Sequence, residues 1–186
     1  MQPALPPGFI DQLNSRLSST EKVAFLAALS EKPPVSIQLN PRKEYHCVKE
    51  DDHPLWHKNA CYLPERPSFT LDPTFHSGAY YVQEASSMLI SELVRRLMPT
   101  NRPWRMLDLC AAPGGKSCLL ASIAPPGSVL ISNEVIKARY RILQYNLAKW
   151  GYDNCWTTNL DPARFSGLAN AFDLVLVDAP CSGEGL

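Results

Sequence analysis

Two apolar runs in this chain each end in a carboxylate, a proline and a cysteine beside glycine. The first is Met106-Leu107-Asp108-Leu109-Cys110, followed by Ala111-Ala112-Pro113-Gly114-Gly115-Lys116. The second is Phe172-Asp173-Leu174-Val175-Leu176-Val177, followed by Asp178-Ala179-Pro180-Cys181-Ser182-Gly183-Glu184-Gly185. A short continuous apolar run bounded by turn residues reads as a strand covered on both faces. Ligands of open α/β sheets sit just beyond the carboxyl ends of the strands. The two runs are therefore expected to form two walls of one site.

The second half of the chain is regular. Helix is expected over Gln83–Met98, with Ala85, Met88, Leu89, Leu93 and Leu97 on its apolar stripe. Strand Met106–Cys110, helix Lys116–Ile123, strand Ser128–Ser132 and helix Ile136–Trp150 follow, the last ended by Gly151. A short strand near Cys155–Thr158 and a final strand Phe172–Val177 complete a parallel, doubly wound order.

The first half is less regular. Residues 1–34 read as two helices, with Ser18 and Glu21 as a capping box. The second, Thr20–Ser30, places Val23, Leu26 and Ala27 on one stripe, and Pro33-Pro34 ends it. Val35–Asn40 alternates apolar and polar, so a half-buried strand is expected. Residues 41–80, rich in Pro, His and aromatics, read as short strands and loops over a core. The boundary between this annex and the regular half is placed at 75/76.

With 186 residues and 45% hydrophobic content, one ordinary domain with a small annex is expected. No apolar run reaches membrane-spanning length, and the N-terminus has no signal-peptide pattern. The six cysteines make no Cys-x-x-Cys pair and lie beside no His at ligand spacing, so no metal is expected. Without a signal they are expected to be free thiols in a reducing, cytoplasmic setting, four or five of them as buried packing residues. Residues 1–105 hold 12 Lys/Arg against 11 Asp/Glu, and residues 106–186 hold 6 against 7. A general nucleic-acid binder carries a basic excess. Any RNA contact must therefore come from a local patch.

Gly114-Gly115-Lys116-Ser117 invites a phosphate-loop reading. That motif requires glycine at position 110, which is Cys110, and the dinucleotide fingerprint fails at Ala112 and Pro113. What remains is a turn of small residues between a buried strand and a helix, where a ligand can approach the backbone closely. Glu134, 20 residues after Gly114, ends the next strand. A carboxylate there accepts ribose hydroxyls in related folds; the alternative is a cap on the following helix. Asp108 at the strand end is costly without partners. The two together favour a ligand site.

These motifs resemble the Nop/Sun family of S-adenosylmethionine-dependent RNA (cytosine-5) methyltransferases, on its RsmF-type 16S rRNA branch. His76–Met88 resembles the stretch before that family's core. Leu5-Pro6-Pro7-Gly8-Phe9 and Ile37-Gln38-Leu39-Asn40-Pro41 resemble its N-terminal annex. The resemblance implies an α/β fold: a Rossmann-like class I methyltransferase sheet, ending after its fourth strand, with a small α+β RNA-binding annex. It implies that residues 1–75 form the annex and residues 76–186 the cofactor part. Cys110, Ala111, Ala112, Pro113, Gly114, Gly115 and Lys116 would line S-adenosylmethionine, and Glu134 would hold its ribose. Asp161 would approach the adenine, although a cap before Ala163 is its other reading. Asp178 would sit between cofactor and target base.

The family's chemistry is a thiolate addition to cytosine C6 followed by proton removal from C5. The resemblance gives Cys181 the product-release role and places the nucleophile in a later Thr-Cys motif that the 186 residues do not contain. The chain is accordingly expected to be part of a longer enzyme and inactive alone, its last strand an exposed apolar edge prone to association. A non-catalytic S-adenosylmethionine or RNA-binding module, and a generic α/β nucleotide binder, are the competing readings.

Overall fold

The computed structural model describes residues 5–45 and 53–179, which divide into two compact units between Pro34 and Val35. The smaller unit is a helix pair, α1 (Pro7–Arg16) and α2 (Ser19–Ala28). The capping box is formed: Glu21 N–H donates to Ser18 Oγ, and Ser18 N–H donates to the Glu21 carboxylate at 2.9 Å. The expected apolar stripe of α2 is not a core face. Val23 and Ala27 are exposed and no residue of the helix is buried. Two short helices alone lack the surface to enclose one.

The larger unit holds two sheets. An antiparallel sheet in the order β2-β1-β3 is built from β1 (Val35–Leu39), β2 (Ala60–Leu63) and β3 (Tyr80–Val82). The short helix α3 (Pro73–His76) precedes β3. The alternation in β1 predicts one wet face; instead Ser36 and Gln38 are buried with Ile37. As the middle strand, β1 is paired on both edges, and its polar face is covered as well. Cys61 on β2 is disulfide-bonded, which corrects the expectation of six free thiols. Spacing along a chain does not reveal which Cα atoms come within bridging distance.

Helix α4 (Leu89–Leu97) follows a 3-10 turn at Ser86–Met88. Its buried face is Met88, Ser91 and Val94, while Leu89, Leu93 and Leu97 are exposed, contrary to the expected stripe. The tighter turn at the start rotates the helix, so the inward positions recur every three residues from Ala85. His57 fixes this rotation, its Nδ1 hydrogen-bonded to Ser91 Oγ at 2.9 Å.

The parallel sheet runs β6-β5-β4-β7, from β4 (Arg105–Asp108), β5 (Val129–Asn133), β6 (Cys155–Thr158) and β7 (Leu174–Leu176). Helices α5 (Gly115–Ile123) and α6 (Lys137–Trp150) connect the first three strands. Gly151, with φ +82, ends α6 as expected. Val94, Trp104, Met106, Leu120 and Leu130 pack as the core between α4, α5 and the sheet. The expected two-sided burial of β7 is not observed: Val175 and Val177 are exposed. Among the described residues β7 pairs only with β4. Asp173 fixes its start, accepting from Arg105 N–H at 2.8 Å and from Arg102 at 3.0 Å.

The two sheets are clamped together near the end of α6. The Asn40 side-chain amide donates to Gly78 O at 3.0 Å and to Trp150 O at 2.8 Å. Lys43 Nζ donates to Lys149 O at 2.7 Å. Gly78, with φ +73, permits the approach, since a Cβ there would sit 2.1 Å from Lys149 O.

Candidate functional site

Strand β4 delivers Asp108 to the carboxyl end of the parallel sheet. The side chain is buried, and only Oδ2 is partnered, by Ser117 Oγ of α5 at 2.7 Å. Ser117 Oγ also meets Ser132 Oγ of β5 at 2.8 Å. Asp108 Oδ1 is buried without a hydrogen bond. Burial raises this carboxyl to about 6, against the lowering effect of the Ser117 bond and Lys116. A carboxylate so placed calls for a donor from outside the chain.

The turn that follows is fixed from its back. Ala111 N–H donates to Asn133 O at 2.8 Å, Arg139 donates to Ala112 O at 2.6 Å, and Asn146 donates to Pro113 O at 2.8 Å. Ala111 and Ala112 pack on Cys118, Leu143, Leu147 and Trp150. The Ala112–Pro113 bond is cis. Gly114 has φ +116, a value that favours glycine, and starts α5. At Gly115 a Cβ would come within 3.1 Å of Tyr81 Cε1 and 3.2 Å of Gln83 Cδ. The small residues thus leave the front of the turn open.

A cleft of about 220 Å3 lies there. The expected residues Asp108, Cys110, Ala111, Ala112, Pro113, Gly115, Lys116 and Asp178 line it together, while Gly114 of the same turn does not. Lys116 Nζ lies 2.6 Å from Asp178 Oδ2, so the two walls read from the sequence do meet. The facing wall is Tyr81, Val82, Gln83 and Ser87, which sequence reasoning did not assign to the site. The stretch His76–Met88 was the only signal for them. Gln83 Oε1 is buried and unpartnered. A larger hollow of about 610 Å3 sits at the other end of β5, around Pro125, Gly127 and Tyr152. It contains none of the buried unpartnered side-chain atoms, and the smaller cleft is the better candidate.

Glu134 follows β5. Its Oε1 accepts from Ile136 N–H at 2.9 Å, so part of the capping alternative is real. Its Oε2 is buried with no hydrogen bond and lies 3.5 Å from Arg139 Nη1. One oxygen is used by this cap and the other faces Arg139; Glu134 is not among the residues that line the cleft. Asp161 is elsewhere: it is exposed, caps the 3-10 turn Pro162–Phe165 through Ala163 N–H at 2.8 Å, and does not line the cleft. Cys181 lies outside the described residues.

The free thiols among the described residues are Cys110, Cys118 and Cys155. Burial raises all three, Cys155 to about 12 and Cys118 well above the usual thiol value. The carboxylates of Glu134, Asp108 and Asp178 add to the effect at Cys110. None is prepared to act as a thiolate. Among the described residues no group of three or more His, Cys, Asp or Glu side chains is placed to hold a metal, and no helix is long and apolar enough to cross a membrane.

A parallel sheet with acidic strand ends flanking a small-residue turn defines a Rossmann-like methyltransferase fold. Residues 94–186 match the family model for the 16S rRNA methyltransferase RsmB/F, and residues 5–85 match that for the N-terminal domain of the 16S rRNA methyltransferase RsmF. The chain belongs to the 16S rRNA methyltransferase RsmB/F family. It is 39% identical over 111 residues to ribosomal RNA small subunit methyltransferase F of Enterobacter sp. (strain 638), a match covering 59% of this chain and 23% of that protein. The chain thus spans about a quarter of the length of such curated relatives. A methyltransferase homologue from Pyrococcus horikoshii superimposes with a TM-score of 0.67 at 26% identity, covering 97% of this chain and 65% of that one. NSun6 from the same organism, with SFG, gives 0.55 at 27% identity, covering 62% and 29%.

Proposed function

We propose that the chain carries the cofactor-binding part of an S-adenosylmethionine-dependent RNA (cytosine-5) methyltransferase that modifies 16S rRNA in the cytoplasm. Residues 76–186 are the cofactor part in this reading, and residues 1–75 the RNA-binding annex. The observation that carries it is the buried Asp108 Oδ1 without a hydrogen bond in the wall of the cleft, with Glu134 Oε2, ion-paired to Arg139 but also without a hydrogen bond, beyond the adjacent parallel strand. A buried acceptor left unpaired costs stability until a donor reaches it. S-adenosylmethionine brings matching donors, two ribose hydroxyls for Glu134 and an ammonium for the carboxylate at the cleft.

Cys110–Lys116 would hold the ligand through the open face of their turn, with Tyr81 and Val82 excluding water opposite. Bound there, S-adenosylmethionine supplies a methyl group activated on a sulfonium. Lys116 holds Asp178 at the cleft, beside the place for the target base. Asp161, which the resemblance brings near the adenine, keeps one carboxylate oxygen beyond its capping bond. On the substrate side, a cysteine thiolate adds to C6 of cytosine, C5 gains its substituent and loses its proton to a base, and the thiol is expelled. The raised values of Cys110, Cys118 and Cys155 support leaving that attack to another cysteine, with Cys181 in the release role.

Calorimetry with S-adenosylhomocysteine, ATP and NAD tests the reading. S-adenosylhomocysteine alone is expected to bind. Binding of ATP or NAD without it would sink the proposal.

A further inference from the structure

A groove of about 270 Å3 opens beside the cleft. Arg66, Phe69, Phe75 and Lys149 line it, and Tyr81 and Val82 form the wall it shares with the cleft. The Arg66 guanidinium lies 5.5 Å from the Phe69 ring centroid, and Lys149 Nζ lies 3.7 Å from that of Phe75. No carboxylate lines the groove, and among the described residues neither Arg66 nor Lys149 has an acidic partner.

These side chains are distant in sequence and are brought together by the clamp at the end of α6. Lys43 and Asn40 hold the carbonyls of Lys149 and Trp150, so the backbone of Lys149 is fixed while its ammonium remains for the groove. Desolvation keeps that ammonium below the usual lysine value, and Lys43 adds to this, while Cys118 opposes it. An anion beside it would offset this lowering by direct attraction. Asn146 ties the groove to the turn through Pro113 O at 2.8 Å.

We propose that this groove takes one nucleotide of single-stranded RNA, adjacent to the nucleotide in the cleft, with its phosphate between Arg66 and Lys149 and its base against the side chains of the Phe69 and Phe75 wall. The inference rests on the RNA methyltransferase reading. Aromatic faces that stack bases, interleaved with cations that track phosphates, are the recurring design for single strands. An acidic peptide would satisfy the cations but brings no planar base to the aromatic wall.

Fluorescence anisotropy with a labelled single-stranded oligoribonucleotide of about twelve residues tests it. The variants are Arg66→Glu with Lys149→Glu, and Phe75→Leu, each checked by its unfolding midpoint. The double charge reversal is expected to weaken binding by at least about tenfold and to flatten its salt dependence. Phe75→Leu is expected to weaken binding by about threefold or more while keeping the salt slope. S-adenosylhomocysteine affinity is expected to stay unchanged in both. Wild-type RNA affinity in the charge variant would overturn the proposal. So would equal binding of duplex and single strand by the unaltered chain, or equal competition by polyglutamate, which would indicate a protein partner. If the unaltered chain fails to bind S-adenosylhomocysteine, the cofactor reading fails, and the RNA comparison still decides the groove.

Discussion

Ser117 Oγ lies 2.7 Å from Asp108 Oδ2 and 2.8 Å from Ser132 Oγ, so one hydroxyl of α5 joins the ends of two parallel strands. It satisfies half of a buried carboxylate and leaves the other half without a hydrogen bond, on a residue that lines the cleft. That division has consequences for stability, for binding and for pH dependence.

Two groups contribute to stability between pH 4 and 6.5 with opposite sign. Asp108 is raised by burial to about 6 from 3.8, so the folded state holds the proton longer and stability falls as pH rises through that window. His57 is lowered to about 4 from 6.5, first by burial and then by Arg95, so its contribution is present above 6.5 and is lost as pH falls towards 4. Asp108→Asn is expected to make stability rise more steeply with pH between 4 and 6, and His57→Gln to make it fall. Urea midpoints at intervals of pH measure both, and two unchanged curves would contradict the assignments.

Glu134→Ala is expected to weaken S-adenosylhomocysteine binding by about 1–3 kcal/mol, the worth of hydrogen bonds to a charged acceptor. Calorimetry reads this directly. Glu134→Gln separates charge from shape, since it can keep the Ile136 bond on one side-chain oxygen. Full affinity in Glu134→Ala would take the residue out of the ligand site.

Two glycines are predicted to fail for different reasons. Gly114→Ala forces an L-residue to φ +116 and is expected to cost about 1–3 kcal/mol. Gly78→Ala adds a clash, its Cβ 2.1 Å from Lys149 O, and is expected to cost more than Gly114→Ala. Chemical denaturation of both variants decides the order. Equal losses would mean that the end of α6 yields easily.

Asp173 anchors β7 by accepting from Arg105 and Arg102, and these bonds hold its carboxyl well below the usual range. Asp173→Ala is expected to speed amide exchange at Leu174–Leu176 more than in β5. In the unaltered chain the same exchange is expected to rise as pH falls below the ordinary carboxylate value, because a lowered group loses its contribution on protonation. Uniform exchange across both strands would show that the pairing with β4 suffices.

The amino-acid sequence by itself determined what depends on neighbours along the chain. The Ser18–Glu21 box, the Gly151 helix stop, the strand at Cys155–Thr158 and the turn Cys110–Lys116 are local matters of backbone geometry and residue size. The family resemblance likewise rested on contiguous motifs. Tertiary structure decided whatever depends on which surfaces meet. Leu89, Leu93 and Leu97 have the right spacing for a core, yet His57 and the preceding 3-10 turn rotate them outward. Gln38 sits in an alternating pattern but is buried, because both faces of β1 are covered in the folded chain. Tyr81 and Gln83 become a wall of the cleft only because β3 packs across the start of α5. Asp161 and Glu134 both follow strands as acidic residues, but only Glu134 is carried into a buried position with an oxygen to spare. Burial and unmet hydrogen bonds arise from distant contacts, and those exist only once the chain has folded.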